Sequence, residues 1–153
     1  MSINKQRNLV SKHIRNGARG ELCSFMFTHG VCECSRETTV FCHLKSGTHG
    51  MGLKGTDLIG AYGCRSCHDF IDGRMKNYYD ENGIYLVKLN GLRETHRVLM
   101  KKKIIFYSDL ACEALDSIYD KQEGLSKELY FEYVNKIIEL YNKGDITVKG
   151  DKR

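Results

Sequence analysis

The sequence predicts an α+β fold in which a small β-hairpin region, rich in glycine and cysteine, precedes a set of amphipathic helices. Residues 20–63 hold eight of the 15 glycines and four of the seven cysteines in the 153-residue chain. Runs of β-branched and aromatic residues predict strands over Thr38–His43 and Leu58–Tyr62. Later in the chain, apolar residues recur at helical spacing, which predicts helices over residues 84–103, 108–120 and 125–143.

Shorter elements complete this prediction. Residues 3–16 are expected to form a basic helix that ends at Asn16-Gly17, and another short helix is expected to begin at Arg65. The polar tail from Val148 onward is expected to be frayed. We assign residues 1–103 to the main domain and residues 104–153 to a helical extension packed on the same domain.

Composition limits the class of protein. Hydrophobic residues make up 41% of the chain and charged residues 28%, as is usual for a soluble globular protein. No stretch approaches the ~18 apolar residues of a membrane span, and the basic N-terminus lacks the apolar core of a secretory signal. We therefore expect a cytoplasmic protein without membrane contact. Seven cysteines in a reducing compartment indicate metal binding rather than disulfides.

The spacing of the cysteines predicts one structural Zn²⁺. Cys64 and Cys67 form a C-x-x-C pair where a helix is expected to begin, and upstream lie Cys23, Cys32 and Cys34. A structural zinc site takes four tetrahedral ligands, often as two pairs from separate segments, which is the treble-clef arrangement. We choose Cys23 and Cys32 as the upstream pair, with Cys34 as the alternative to Cys32. A redox C-x-x-C would need a βαβ context, which is missing from this pattern.

The other cysteines are interpreted as structural. Cys112 is interpreted as a small buried hydrophobe on an apolar helical face. Cys42 alternates with His43 along the first strand, so its side chain should face away from that histidine.

Histidines and carboxylates next to the expected zinc site suggest a second, catalytic metal. His68 and Asp72 stand four residues apart on one helix, so both can bind one Mg²⁺ or Mn²⁺ ion. His43 ends the first strand and should face His68 if the hairpin packs against that helix, which is the layout of a ββα-metal nuclease. Asp57 either orients His43 or caps the loop. A lone histidine is more often structural, and we interpret three others in that way: His13, His29 and His96.

Charge is compatible with a nucleic-acid partner without proving one. The formal net charge is +5. The first 20 residues carry basic side chains and no acidic one, so this arm is either a phosphate contact or a solvated helix end. Its basic residues are Lys5, Arg7, Lys12, Arg15 and Arg19.

Several motifs together resemble the YbcO-like family of small nucleases from lambdoid phages and prophages. They are Ala18-Arg-Gly-Glu-Leu-Cys23, Gly30-Val-Cys32, Gly55-Thr-Asp57-Leu-Ile-Gly60 and Cys64-Arg-Ser-Cys-His-Asp-Phe-Ile-Asp-Gly-Arg74. The resemblance covers about residues 15–103 and implies an HNH-like treble clef. It also implies zinc on Cys23, Cys32, Cys64 and Cys67, with His43 as general base and His68 as a ligand of the catalytic cation.

One position departs from the pattern of HNH enzymes. Many of them carry an acidic residue or a histidine immediately before the general base, and this chain has Cys42 there. Asp72 or Asp69 is then expected to complete the set of ligands.

The leading hypothesis is a phage-encoded, metal-dependent DNA endonuclease that acts in recombination or DNA processing. The basic arm would contact phosphates, together with Lys45, Lys54, Arg65 and Arg74. The rival hypothesis is a non-catalytic zinc module that binds nucleic acid or protein. The C-terminal helices either complete the core or form a homodimer face.

Overall fold

The computed structural model describes residues 9–26, 31–46, 56–73, 79–121 and 126–152. The described residues form helices and two separate two-stranded sheets, which confirms the α+β class. In chain order the elements are α1 (Lys12–Asn16), β1 (Val40–His43), β2 (Gly60–Gly63), α2 (Arg65–Ile71), α3 (Glu81–Lys101), β3 (Ile105–Tyr107), α4 (Asp109–Lys121), α5 (Ser126–Lys143) and β4 (Ile146–Val148).

Strands β1 and β2 form an antiparallel hairpin that leads directly into α2. His43 lies opposite Gly60 in this pairing. A Cβ atom on Gly60 would come within 2.7 Å of the Cys42 carbonyl oxygen and still closer to the Phe41 ring, so the close approach requires glycine. Cys42 is buried while His43 is exposed, which agrees with the alternation expected of a strand.

Helix α3 is the longest element and connects the hairpin to the C-terminal helices. Leu89, Leu92 and Leu99 are buried along it, and the helix packs against both β2 and α5. The backbone N–H of Tyr62 in β2 donates a 3.0 Å hydrogen bond to the Thr95 hydroxyl of α3. The hairpin is therefore attached to the long helix by a buried polar contact as well as by apolar packing.

The tail from Val148 onward was expected to be frayed, but Val148 is the last residue of a strand and the Lys149 N–H donates a 2.8 Å hydrogen bond to the Ile104 carbonyl oxygen. Residues Ile146–Val148 form β4, which pairs antiparallel with β3 at Ile105–Tyr107. Ile146 and Val148 point into the core while Thr147 is exposed. Strands of three residues are too short to show a period in the sequence, and each depends on a partner about 40 residues away.

Cys112 was interpreted as buried, and it is exposed. Helix α4 buries Ala111, Leu115 and Ile118 instead, and Cys112 lies beside that face. Small shifts in the angular position of an apolar stripe are enough to move a neighbouring residue into solvent.

Some boundaries also differ from expectation. Helix α1 begins after Ser11, whose hydroxyl accepts a 3.2 Å hydrogen bond from the Ile14 N–H, and residues 3–8 lie outside the described part. The second strand is shifted to Gly60–Gly63 because the preceding residues form a turn. Three residues singled out above, His29, Lys54 and Arg74, also lie outside the described ranges. Among the helices of the described ranges, none has the length and apolar character needed to cross a membrane.

Candidate active site and metal centre

Four cysteines from three segments meet beside the β1–β2 hairpin. They are the set chosen from the sequence: Cys23, Cys32, Cys64 and Cys67. Their Sγ atoms all lie within 4.8 Å of one another. Cys64 is the N-cap of α2 and Cys67 lies in its first turn, so the helix start brings both thiols to one point.

The geometry of this cluster fits a tetrahedral zinc ion. Four sulfurs at the usual Zn–S distance stand about 3.8 Å apart in a regular tetrahedron. The Sγ atoms of Cys32 and Cys64 are 3.9 Å apart. Cys23, Cys64 and Cys67 are buried and Cys32 is partly exposed, as expected for a closed structural site at the edge of a core.

Cys34 lies beside the cluster and outside the four-thiol group. Its Sγ is 3.7 Å from that of Cys32, and its backbone N–H donates a 3.3 Å hydrogen bond to the Cys32 sulfur. Such N–H donors support a thiolate ligand from outside the metal's own coordination sphere. The structure thus groups Cys32, and not Cys34, with the other three thiols, while the ligand role of Cys32 stays a prediction.

The thiols differ in their readiness to ionise. A hydrogen bond from Cys67 lowers the pKa of Cys23 to about 5, although burial acts in the opposite direction. Burial raises the pKa of Cys32 to about 12. Binding of a cation by the four sulfurs would displace the protons that the thiols carry.

A second arrangement joins the end of β1 to a buried carboxylate. His43 Nε2 lies 2.7 Å from Asp57 Oδ1. The Asp57 side chain is fully buried, whereas 41% of the His43 side chain is exposed. Of the two roles that the sequence left open for Asp57, contact with His43 is the one seen.

Helix α1 holds the Asp57 carboxylate from the other side. The Ser11 backbone N–H donates to Oδ2 at 2.7 Å, and the Arg15 guanidinium donates to both oxygens at 2.8 and 3.0 Å. Burial alone would raise the pKa of Asp57, but the hydrogen bonds from His43, Arg15 and Ser11 outweigh it and lower the pKa. Asp57 is therefore a carboxylate at neutral pH. Its charge is tolerated in a buried position because hydrogen bonds from three residues stabilise it.

An ionised Asp57 determines the tautomer of His43. A carboxylate can only accept hydrogen bonds, so Nε2 must carry the proton. The lone pair of a neutral imidazole is then on Nδ1, which is the nitrogen able to take a proton from a substrate or water. The Phe41 ring packs edge-on against the imidazole at 5.0 Å and further restricts its orientation.

His68 and Asp72 form a separate pair on α2. His68 Nε2 lies 3.3 Å from Asp72 Oδ2, and both side chains are about one third exposed. Two ligands at right angles on a Mg²⁺ ion would stand about 3.0 Å apart, so the pair fits one small divalent cation. Across the described ranges, the four cysteines are the one group in which three or more potential metal ligands lie close together. The His43–Asp57 and His68–Asp72 pairs therefore do not form one larger ligand group. That His43 faces His68 across a short gap stays a prediction.

The basic residues divide into two groups. Lys45 is exposed just after β1 and Arg65 is exposed at the start of α2, where Arg65 Nη2 lies 4.0 Å from a Glu33 carboxylate oxygen. Arg15, a member of the basic arm, is instead bound to Asp57. The arm therefore contributes at least one side chain to the site itself.

His96 has the structural role expected of it. Its Nε2–H donates to the Leu58 carbonyl oxygen at 2.7 Å, and its Nδ1 pairs with the Tyr107 hydroxyl. Complete burial lowers the pKa of His96 to about 4.

The sequence did not predict a place in this region for Ser11 or Lys88, and it predicted Arg15 only as a possible phosphate contact. Ser11 and Arg15 bind a carboxylate more than 40 positions away, a pairing for which the local sequence has no signal. Lys88 is half-buried on α3 with its Nζ 5.1 Å from the centre of the Tyr85 ring. Burial lowers its pKa, repulsion from Lys45 adds to this, and the Asp72 charge opposes it. The helical period of 3.6 residues places Lys88 among the core positions of α3. A lysine at such a position was the signal in the sequence that could have drawn attention to it.

Known proteins are similar to the part of the chain that contains the candidate site. A model of the family described as "Putative nuclease YbcO" matches residues 12–104. Two proteins of that description, from Escherichia coli K12 and Enterobacteria phage 82, are each 34% identical over 93 residues. The matched region is 60% of this chain and 95% of each relative.

A solved structure is similar to a comparable share of the chain. It is described as a putative bacteriophage protein from Escherichia coli K-12 MG1655. It has 31% sequence identity, covers 58% of this chain and 98% of its own, and superposes with a TM-score of 0.49. Residues from 105 onward, which include α4 and α5, lie beyond the family match.

Proposed function

The chain belongs to the YbcO family of nucleases, and we propose that it is a phage-encoded, metal-dependent DNA endonuclease of the HNH-like, treble-clef type. Residues 1–103 would form the zinc-anchored nuclease domain and residues 104–153 a helical extension on it. The observation that carries the proposal is the 2.7 Å contact between the exposed His43 imidazole and the buried Asp57 carboxylate. A buried acid that holds an exposed histidine in one tautomer is the usual arrangement of a general base.

His43 would act first. Its Nδ1 lone pair takes a proton from a water molecule, and the resulting hydroxide attacks the phosphorus of a phosphodiester. Asp57 keeps the proton on Nε2 and stabilises the imidazolium that forms, while Arg15 and Ser11 keep Asp57 ionised. The water-derived oxygen forms a bond to phosphorus, and the bond to the 3′ oxygen breaks on the opposite side.

His68 and Asp72 would bind the catalytic Mg²⁺ or Mn²⁺. Such a cation supplies Lewis-acid stabilisation of charge on the phosphoryl and leaving oxygens. The 3.3 Å separation of the two side chains supports this role, as does their exposure on α2. Lys45 and Arg65 would contact neighbouring phosphates, together with Lys54, Arg74 and the basic arm.

The four cysteines would hold a structural Zn²⁺ that takes no part in hydrolysis. Closed Cys₄ sites stabilise small domains and leave no ligand position open for water. The closed nature of such a site supports separate roles for two metals: one would stabilise the fold of the hairpin and helix, and the other would bind at the reaction site. Action in recombination or DNA processing, a cytoplasmic location and a homodimer through the C-terminal helices remain predictions.

A nicking assay on supercoiled plasmid with Mg²⁺ or Mn²⁺ tests the proposal. We expect His43→Ala to lower cleavage by about 10²–10⁴-fold, which is the usual contribution of a general base. The variant should keep one zinc per chain by elemental analysis and an unchanged circular dichroism spectrum. His13→Ala, at an exposed position on α1, is the matched control and should cut like the original protein.

Two results would contradict the proposal. One is equal cleavage by the His43→Ala and His13→Ala variants. The other is a zinc-loaded original protein that cuts no form of DNA with either cation. The second result, combined with retained DNA affinity, would favour the rival reading as a non-catalytic zinc module.

A further inference from the structure

Tyr130 of helix α5 contacts the backbone that follows the active-site end of β1. The Tyr130 hydroxyl donates a 2.6 Å hydrogen bond to the Lys45 carbonyl oxygen, a contact between residues 85 positions apart. Tyr130 belongs to the segment beyond the region shared with the family, because that match ends at residue 104. The relatives are matched over 95% of their length, so this contact is outside what they share with the chain.

The acceptor of this bond lies two residues beyond the proposed general base. Between them, Leu44 is buried and its N–H donates a 3.0 Å hydrogen bond to the Ile59 carbonyl oxygen. The backbone that follows His43 is thus held at Leu44 by Ile59, the residue before β2, and at Lys45 by α5. A shift of the Lys45 peptide would be transmitted to His43 through the short segment that these two hydrogen bonds hold.

Tyr130 is itself rigidly placed. Its side chain is fully buried and packs against Tyr85 of α3 with ring centres 5.3 Å apart. The Phe131 ring contacts both, with its centre 5.1 Å from that of Tyr130 and 5.5 Å from that of Tyr85. Burial raises the pKa of Tyr130 well above its ordinary value, so the hydroxyl remains a donor at any working pH. A buried aromatic cluster of this kind can hold a distant backbone group in place.

We propose that Tyr130 is a positioning residue for His43, through which the C-terminal extension tunes the active site. This proposal rests on the proposed nuclease function. Tyr130 touches no reacting atom, and its effect is to hold the exit of β1 so that the His43 imidazole stays within reach of both Asp57 and the attacking water. A general base that moves by about 1 Å can lose up to 10²-fold in rate.

The test compares Tyr130→Phe with Tyr141→Phe. Both positions are buried on α5 and each hydroxyl donates a hydrogen bond of its own, since the Tyr141 hydroxyl bonds the Asp151 carboxylate at the far end of the helix. We expect Tyr130→Phe to lower kcat about tenfold with KM for plasmid DNA changed less than about twofold. Tyr141→Phe should leave both constants unchanged. Both variants should retain zinc by elemental analysis.

A second measurement does not depend on turnover. In Tyr130→Phe, amide hydrogen exchange over residues 41–46 should accelerate and the His43 imidazole signals in NMR should shift or broaden, while Tyr141→Phe changes neither. Equal kcat values for the two variants, or unchanged His43 signals in Tyr130→Phe, would overturn the proposal. If the original protein cuts no DNA, the nuclease proposal fails, and the exchange and NMR results still decide whether Tyr130 positions His43.

Discussion

The part of the chain before residue 74 and the part after residue 79 are held together by different means. The first consists of four-residue strands and helices of five and seven residues that converge on four thiols. The second is built on helices of 21, 13 and 18 residues that bury apolar faces against one another. Short elements gain little stability from hydrogen bonding alone, so we expect the first region to depend on a metal held by the four cysteines and the second on burial.

A few specific contacts join the two regions. His96 bonds the Leu58 carbonyl, Thr95 accepts from Tyr62, and Tyr130 donates to Lys45. Gly91 of α3 lies so close to Phe25 that a Cβ atom there would come within 2.6 Å of the ring. On the proposed function, the chemistry lies in the region of the four cysteines, while the helical region supplies the surface against which that region packs.

The largest effect is expected from removing a zinc ligand. Cys64→Ala should abolish zinc binding, which contributes about 10–16 kcal/mol in small zinc domains. Amide exchange should become fast over β1, β2 and α2 while α3 to α5 stay protected, and elemental analysis should find no zinc. Cys112→Ala, at an exposed cysteine, is the control and should keep both. Undiminished protection of the hairpin in Cys64→Ala would refute the division into two regions.

The next effect concerns activity alone. Asp57→Asn replaces an acceptor with a group that can donate to His43 Nε2, which would move the imidazole proton to Nδ1. We expect cleavage to fall by about 10²–10⁴-fold, because the lone pair then faces the wrong way. Asp116→Asn, which alters an Arg93 partner in the helical region, should cut normally. The nicking assay measures both, and similar rates in the two variants would exclude a role for the Asp57 charge.

The third effect should appear only in the helical region. Ile137 is fully buried on α5, and Ile137→Ala should lower the free energy of unfolding by about 2–5 kcal/mol, because it leaves a cavity. Urea denaturation measures this loss, and zinc content should be unchanged in the folded variant. Asn135→Ala, exposed on the same helix, should change stability by less than about 0.5 kcal/mol. Loss of zinc from folded Ile137→Ala would show that the two regions are not separable.

The smallest effect tests the connection between the regions. Burial lowers the pKa of His96 from its ordinary value of about 6.5 to about 4 in the folded protein, so His96 is neutral when folded. Because the unfolded chain takes up the proton first, stability should be full above pH 6.5 and should fall as the pH drops toward 4. The loss attributable to His96 should reach about 3 kcal/mol. Urea denaturation at several pH values, with zinc in excess, should show a shallower slope for His96→Gln; an identical slope would contradict the assignment.

Local patterns were enough to predict part of the fold and part of the candidate site. The C-x-x-C pair at a helix start, the opposite faces of Cys42 and His43, and the shared face of His68 and Asp72 all follow from the period of one element. The long helices were predicted for the same reason. Cys112 shows the limit, since a period locates an apolar stripe without determining which flanking residue reaches solvent.

The sequence by itself determined which residues could act: the cysteine ligands, the histidines and the acids are properties of residue type and short spacing. Only the tertiary structure decided which of them meet. Ser11 and Arg15 reach Asp57, β4 finds β3, and Tyr130 reaches Lys45 across separations that leave no periodic trace. The physical reason is that such contacts form only when burial of the intervening chain brings distant segments together, which is a property of the whole core.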